Sequence, residues 1–519
     1  MMNMSFDFSE KSMRQLPSNL ACGTVKVGAM QWRQVGEELT EEGGRFLTLW
    51  GADDRDRDGR FRIHALFLLP EARVLVLEHE MEGGIHPTYP TLADLFPTAS
   101  RMERATYDLL GIASTDQDKR GWLRHGGWPE TVFPLRRDVD GGLQYPVQSE
   151  PYPFVQVEGD GVHEIAVGPV HAGTIEPGHF RFSVVGEKVL RLEERLGYTH
   201  KGVAKRFEEM HLNNAHRLAA RLSGDSAVAF SWAYCTALEA ITQSVCPPRA
   251  ANLRALALEH ERLANHLGDL GALGNDAGFA FGLTQFSRLK EDLLRTNANV
   301  FGARYLLDYI LPGGVATDLP DHARALLRTQ YIELEGAVAD LRSIYDEHAG
   351  LQDRFREAGF LKQELAEKLG VIGLAGRASG VGRDLRVDHP WPPYDKINAQ
   401  LVTQTSGDVA ARVQVRFDEI VESLRLCRVI LDDHSQGPIQ TDVQVAEPDC
   451  LGLGLIEGWR GPVMIALEAG PLGGIRRCHA HDPSWQNWPL LEYAILGNIV
   501  PDFPLINKSF NLSYSGHDG

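Results

Sequence analysis

Cysteine is scarce in this 519-residue sequence: there are six, and no two are separated by only two residues. Cys22, Cys235, Cys246, Cys427, Cys450 and Cys478 therefore form neither a zinc pattern nor an iron–sulfur run, and they read as free buried thiols. Long apolar runs are also missing. A membrane-spanning helix needs about 18 consecutive apolar residues. The nearest stretch, 227–245, contains Ser231, Glu239 and Gln243, and it reads as a buried helix. The opening "MMNMSFDFSEKSM" lacks a basic start followed by an apolar run, so no signal peptide is expected. Basic residues are outnumbered, 52 Lys and Arg against 70 Asp and Glu, for a net charge of -18. That balance excludes nucleic acid as a partner, which needs basic stripes. It suits a soluble protein, or a subunit docking on basic partners. No Gly-x-Gly-x-x-Gly follows a strand, so direct NAD binding is not expected.

What is present organises into two parts. "RFLTLWGA", "GRFRIHALFLL" and "ARVLVLEHEM" predict three strands, with Phe61, Ile63, Ala65 and Phe67 on one face at period two. "DRDRDG" supplies a polar hairpin turn. Helices are predicted at "TLADLFP" and "SRMERATYDLLGI", which makes a small α+β domain. "RDVDGGLQYPVQSEPYPF" is rich in Gly, Pro and polar residues and reads as a linker. From about Gly186 helical patterns dominate. Leu253, Leu256, Leu263, Leu267 and Leu270 fall three, four or seven residues apart, on one stripe.

Four stretches offer chemistry. In "VGPVHAGTIEPGHFRF", His171, Glu176 and His179 sit in a Gly/Pro-rich loop leading into a strand, which is either a ligand-facing loop or a hydrogen-bonded turn. In "RLSGDSAVAF", Arg221, Ser223, Gly224, Asp225 and Ser226 interrupt two apolar runs, and a helix cap explains them. In "GRASGVGRDLRVDHPWPPYD", Arg377, Arg383 and Arg386 with Asp384 and Asp388 form a charge cluster in an irregular loop, either solvated or packed for function. The tail, from "RRCHAHDPSWQNW" onward, is too aromatic to fray and is expected to be buried. Its His-x-His is a weak metal signal on its own.

Together "GPVHAGTIEPGHFRF", "LEHERLANHLGDLGALGND", "PGGV", "RASGVGRDLR" and "DPSWQNW" resemble the large subunit of membrane-bound, energy-converting (group 4, formate-hydrogenlyase-type) nickel–iron hydrogenases. They are similar also to its homologue, the quinone-pocket subunit of respiratory complex I. The resemblance runs from about Glu164 to the end. "MERATYDLLGI", "WLRHGGWPE" and "PLRRD" make the N-terminal part similar to the small complex I subunit that pairs with it. The implied fold is α+β: a small α+β domain over residues 1–148, then a large, mainly helical hydrogenase-large-subunit-like domain over 149–519.

The resemblance also raises a question. Active members hold nickel and iron with two Cys-x-x-Cys pairs, and the matching positions here are Ser223, Ser226, Ser484 and Asn487. Serine hydroxyls stay protonated and are poor ligands for a soft metal, so hydrogenase activity is not expected. For the quinone branch the resemblance implies a proton donor at His179 held by Asp269, while the tyrosine of the quinone pair is matched by Gly224. Arg221 is expected to place positive charge beside a partner's cluster, and His171 to line the same loop. Glu176 matches a glutamate that supports a second metal, often magnesium, but the tail does not reproduce the accompanying histidine, and no metal is assigned. The expected role is a peripheral-arm subunit on the cytoplasmic face of the cell membrane. Its partners would be an iron–sulfur small subunit and membrane-arm subunits. It would couple electrons to quinone-like reduction or ion translocation, with NAD used only by the complex as a whole. A non-catalytic scaffold is the alternative; a hydrogenase with a modified metal site is the remaining one.

Overall fold

The computed structural model describes residues 13–84, 86–147, 151–171, 175–433 and 435–519. The expected domain boundary at 148/149 and residues 172–174 of the histidine loop lie outside them.

The N-terminal part is built on a five-stranded sheet in the order Arg14–Gln15, Ala21–Lys26, Arg73–Glu82, Arg60–Leu69, Arg45–Asp54. All neighbours are antiparallel except Ala21–Lys26 with Arg73–Glu82. The polar "DRDRDG" forms the connection: one helical turn, Arg55–Asp58, closed by Gly59 at φ 79°, a left-handed conformation that glycine adopts without penalty. Phe61, Ile63, Ala65 and Phe67 are buried as expected, but so are His64, Leu66 and Leu68. The strand is covered on both faces. Helix Ala99–Leu110 packs over the strand Arg45–Asp54 at Gly51, where an added Cβ would lie 2.7 Å from Leu110. The C-terminal half also reaches this sheet, since Trp50 stacks on His479 with centroids 5.2 Å apart. The predicted helix at "TLADLFP" is instead a run of turns. Pro90 and Pro97 bracket it and leave room for little more than one turn, and the Glu103 carboxylate holds the Leu92 N–H.

The second part begins with the strands Val162–Val167, His179–Val185 and Lys188–Arg195, an antiparallel sheet. Long helices follow: Ala227–Ile241, Pro248–Asp276, Ala280–Phe301, Asp321–Glu347 and Val409–Asp432. The leucine stripe on Pro248–Asp276 is fully buried, and Ala227–Ile241 is buried along nearly its whole length. That helix lies on a second sheet, Leu451–Glu457, Pro462–Ala469 and Ile475–His481. The approach is close enough that a Cβ on Gly454 would meet the Ala233 carbonyl at 1.9 Å, so only glycine fits. The tail folds back as helices Ser484–Ala494, Phe503–Phe510 and Tyr514–Asp518, with Trp488, Phe510 and Tyr514 buried. Among the described residues no helix is long and apolar enough to cross a membrane.

Candidate functional site

The turn before helix Ala227–Ile241 and the folded-back tail meet at the positions assigned to metal-holding cysteines. Ser223, Ser226, Ser484 and Asn487 are all at most 3% exposed. Three are spoken for by hydrogen bonds within the turn, the tail and Arg460. The Ser223 hydroxyl donates to Asp225 at 2.8 Å and lies 2.8 Å from the Ser513 hydroxyl. The Ser484 hydroxyl accepts the Ser513 N–H at 2.9 Å. Ser226 accepts from Arg460 at 3.2 Å. The fourth turns away: Asn487 exchanges two hydrogen bonds with the backbone of Ile372. This is a set of neutral hydroxyl and amide groups already engaged by Asp225, Ser513, Arg460 and Ile372, and it does not fit a thiolate-held nickel–iron centre. Among the described residues no group of three or more His, Cys, Asp or Glu is arranged to hold a metal ion.

The helix-cap explanation for this turn is half right. Ser226 is the residue before the helix, but its side chain caps nothing. Glu261, from the neighbouring helix, accepts the N–H groups of Val228 and Ala229. Burial pushes the Glu261 carboxyl up to about 8, against those two donors.

Arg221 points away from the site. It is about half exposed and forms a two-pronged ion pair with Asp308 at 2.7 and 2.9 Å. The arginine at the site is Arg460, from the turn between the strands Leu451–Glu457 and Pro462–Ala469. Its guanidinium grips both oxygens of Asp225 and lies 4.0 Å from the centre of the Trp459 ring. Burial alone would raise the Asp225 carboxyl; Arg460 overrides it and holds the pKa at about 2. Behind them Asp482 is buried with one carboxylate oxygen unpartnered, and burial raises its pKa.

Ser223, Asp225, Arg460 and Ser513 wall a cavity of about 500 Å³; Ser226, Ser484, Asn487 and Asp482 do not line it. Asp269, Lys290, Lys508, Asn511 and Glu176 also line it. Asp269 is fixed there by Arg416 at 2.9 Å and by the Asn511 amide at 2.6 Å, with Lys508 3.8 Å away. Glu176 accepts the Ser515 N–H at 3.0 Å. Lys290 has no ion pair among the described residues.

The expected His179–Asp269 pair is not formed. His179 donates from Nδ1 to the Gly168 carbonyl at 3.1 Å and lines a different pocket, with Tyr152, Phe154 and Arg195. Burial lowers its pKa. His171 bonds the Gly178 carbonyl at 2.9 Å and lines neither cavity, which is the hydrogen-bonded-turn reading of that residue. The reason is local. The strand His179–Val185 begins at His179, and its pleat turns that side chain toward the segment 151–154 rather than the tail.

Below the cavity lies a buried charge network. Glu259, Arg262, His266 and Asp269 repeat at spacings of three, four and three along one face of helix Pro248–Asp276. The irregular loop "GRASGVGRDLR" supplies their partners. Arg377 binds Glu419 at 2.7 Å and Glu457 at 2.9 Å; Arg386 binds Asp384 at 2.7 Å and Glu259 at 3.0 Å; His266 binds Glu419 at 2.7 Å. The loop is thus packed rather than solvated at Arg377, Asp384 and Arg386, while Arg383 is exposed.

Comparisons with known proteins agree with this architecture. Residues 25–145 match the respiratory-chain NADH dehydrogenase 30 Kd subunit family, and residues 276–453 match the 49 Kd subunit family. Formate hydrogenlyase subunit 5 of Escherichia coli (strain K12) is 30% identical over 503 residues, 95% of this chain and 88% of that protein. Hydrogenase-4 component G of the same organism is 30% identical over 97% of this chain and 89% of its own length. This chain is a fused large subunit of the family shared by complex I and the group 4 nickel–iron hydrogenases. The complex I branch of the family is represented by the fused C/D polypeptide of NADH-quinone oxidoreductase from Bacteroides thetaiotaomicron, 26% identical over 81% of this chain and 84% of that one. A solved structure of the membrane-bound sulfane sulfur reductase, an archaeal respiratory membrane complex, shares the fold. Its TM-score is 0.65 at 24% identity, over 69% of this chain and 98% of that one.

Membership in this family makes the chain a complex I-like peripheral subunit. Sequence reasoning reached its four substituted positions but missed Arg460, Lys290, Lys508, Asn511 and Ser513. The tail residues carried a signal: "NKSFNLSYSG" places polar groups at intervals in an otherwise apolar segment. Arg460, in a "GWRGP" turn, carried none.

Proposed function

We propose that this chain is the subunit in which a membrane-attached, complex I-like complex hands electrons to a quinone-like acceptor. The observation that carries the reading is the cavity of about 500 Å³ beside Ser223, which keeps Asp269, Lys290, Arg460 and Lys508 on its wall where no thiolate remains. Electrons would arrive from an iron–sulfur cluster in a partner small subunit. NADH, where a complex uses it, would bind another subunit. Reduction of a quinone takes up two electrons and two protons, and negative charge develops on its oxygens before the protons arrive. Lys290 and Lys508 supply positive charge there. A unit charge about 4 Å away is worth roughly 4 kcal/mol at an effective dielectric of about 20. The chain would sit on the cytoplasmic face through membrane-arm partners, which would carry the coupled ion translocation.

The scaffold reading draws on a different observation: the bonds joining Ser223, Ser513 and Ser484 close the old ligand positions against the tail. Quinone reduction by the intact complex separates the two. With Lys290→Met and Lys508→Met combined, acceptor chemistry in the cavity predicts at least about a tenfold loss of turnover, equivalent to ~1.4 kcal/mol, with assembly intact. Unchanged turnover in an assembled complex supports the scaffold.

A further inference from the structure

The seam between the two halves holds a second pocket, of about 460 Å³, separate from the cavity at Ser223. Lys119, Arg120 and Arg124 line it from the N-terminal side, and His179, Arg181 and Arg195 from the other. Glu130 is the one carboxylate on its described wall. This cationic recess belongs to a chain whose net charge is -18.

Two of its groups are left incomplete by the fold. Arg195, 4% exposed, donates to the carbonyls of Gly121, Trp122 and Arg124 and rests on the Tyr152 ring, with 4.5 Å to its centre. Among the described residues no carboxylate pairs with it. His179 is 8% exposed, and its Nδ1–H is committed to Gly168, which leaves Nε2 a bare lone pair, buried and without a partner. A buried polar atom left so is destabilising until a partner satisfies it. Of the other cations of the recess, Arg120 is answered by Asp118 and Glu193, Arg124 by Glu130 and Arg181 by Glu164, while exposed Lys119 has no ion pair among the described residues.

The surroundings indicate what kind of molecule completes them. Tyr198, on the wall, is 39% exposed, and Val155, next to the lining residue Phe154, is 42% exposed. Apolar side chains around a charged recess are what a protein partner covers; a small free anion has no use for them.

We propose that a partner subunit of the complex inserts an Asp or Glu side chain into this pocket, where its carboxylate pairs with Arg195 and His179. The carboxylate supplies the missing counter-charge of Arg195. It also favours the imidazolium form of His179, whose Nε2–H then becomes a donor to it. The docking rests on the proposed membership in a multisubunit complex.

Carbodiimide cross-linking of the intact, purified complex tests it, because this reagent joins a carboxylate to an amine with no spacer and exposed Lys119 is the amine on the wall. The expected product is a peptide carrying Lys119 in amide linkage to an Asp or Glu of another subunit. It disappears in the Lys119→Arg variant, which keeps the charge and the assembly. A Lys119→Glu, Arg181→Glu variant is expected to lower occupancy of that subunit about tenfold, counted by mass spectrometry. Cross-links confined to this chain's own Asp116 or Asp118 overturn the proposal. So does equal acetylation of Lys119 in the complex and in the isolated chain, or a small anion released from the pocket on denaturation. A chain that purifies with no other subunit overturns the proposed function as well; partners present with Lys119 open overturn only the docking.

Discussion

The hydroxyl oxygens of Ser223 and Ser513 lie 2.8 Å apart although 290 residues separate them in the chain. Ser513 also accepts the Gly516 N–H at 2.9 Å, and its own N–H goes to Ser484 at 2.9 Å. The tail is therefore locked onto the turn by the atoms that replace the metal ligands. Hydroxyls are both donors and acceptors and can satisfy one another; thiolates, which only accept, would need a metal or cations between them.

That link should be measurable as a coupling. Ser223→Ala and Ser513→Ala are each expected to lower stability by roughly 1 kcal/mol, the net worth of a buried hydrogen bond. The double variant should fall short of the sum, by roughly 0.5 kcal/mol or more. Urea denaturation of the four proteins checks it, and strict additivity would mean the two hydroxyls do not act together.

Two arginines on the same chain should behave very differently. Arg377 is fully buried between Glu419 and Glu457. Arg377→Met removes the cation that bridges these two buried carboxylates, leaving Glu419 to His266 and Arg262 and Glu457 without an ion pair among the described residues, and is expected to cost about 3–5 kcal/mol. Arg221 makes an equally short pair with Asp308, but that pair is exposed. Arg221→Ala is expected to cost under about 1 kcal/mol. Comparable losses in the two variants would contradict the burial assignment.

How much was legible in the sequence follows from which interactions are local. The leucine stripe on Pro248–Asp276 and the strand Arg60–Leu69 are set by spacing along the chain, and both stand where spacing puts them. The four substituted ligand positions were legible because they sit in motifs. The His179–Asp269 pair was not, since it depended on which way one pleat of a strand faces. Glu261 as cap of a helix beginning 34 residues earlier, and Arg460 on Asp225 across 235 residues, are contacts of folded surfaces with no periodic trace. "TLADLFP" misled because its apolar spacing suits a helix while its flanking prolines forbid one of useful length.

The Glu261 cap carries a pH dependence of definite sign. Its carboxyl is raised from 4.5 to about 8 in the fold by burial, so the folded state holds a proton that the unfolded state releases across that window. Its contribution is fully present below about pH 4.5 and is lost as pH rises through 8. Glu261→Gln keeps an acceptor for Val228 and removes the titration. Relative to wild type, the variant is expected to gain stability between about pH 5 and about pH 9, read from denaturation midpoints. An identical pH profile for the two proteins would show that Glu261 does not titrate there.

We propose that the cavity at Ser223 holds no nickel–iron centre and passes electrons to another acceptor. Elemental analysis of the intact complex, purified anaerobically through this chain, decides between the two. Iron, from clusters in partner subunits, and no nickel is the expected result. About one nickel per copy of this chain would contradict it, because the only groups at the old ligand positions are the hydroxyls and the amide of Ser223, Ser226, Ser484 and Asn487.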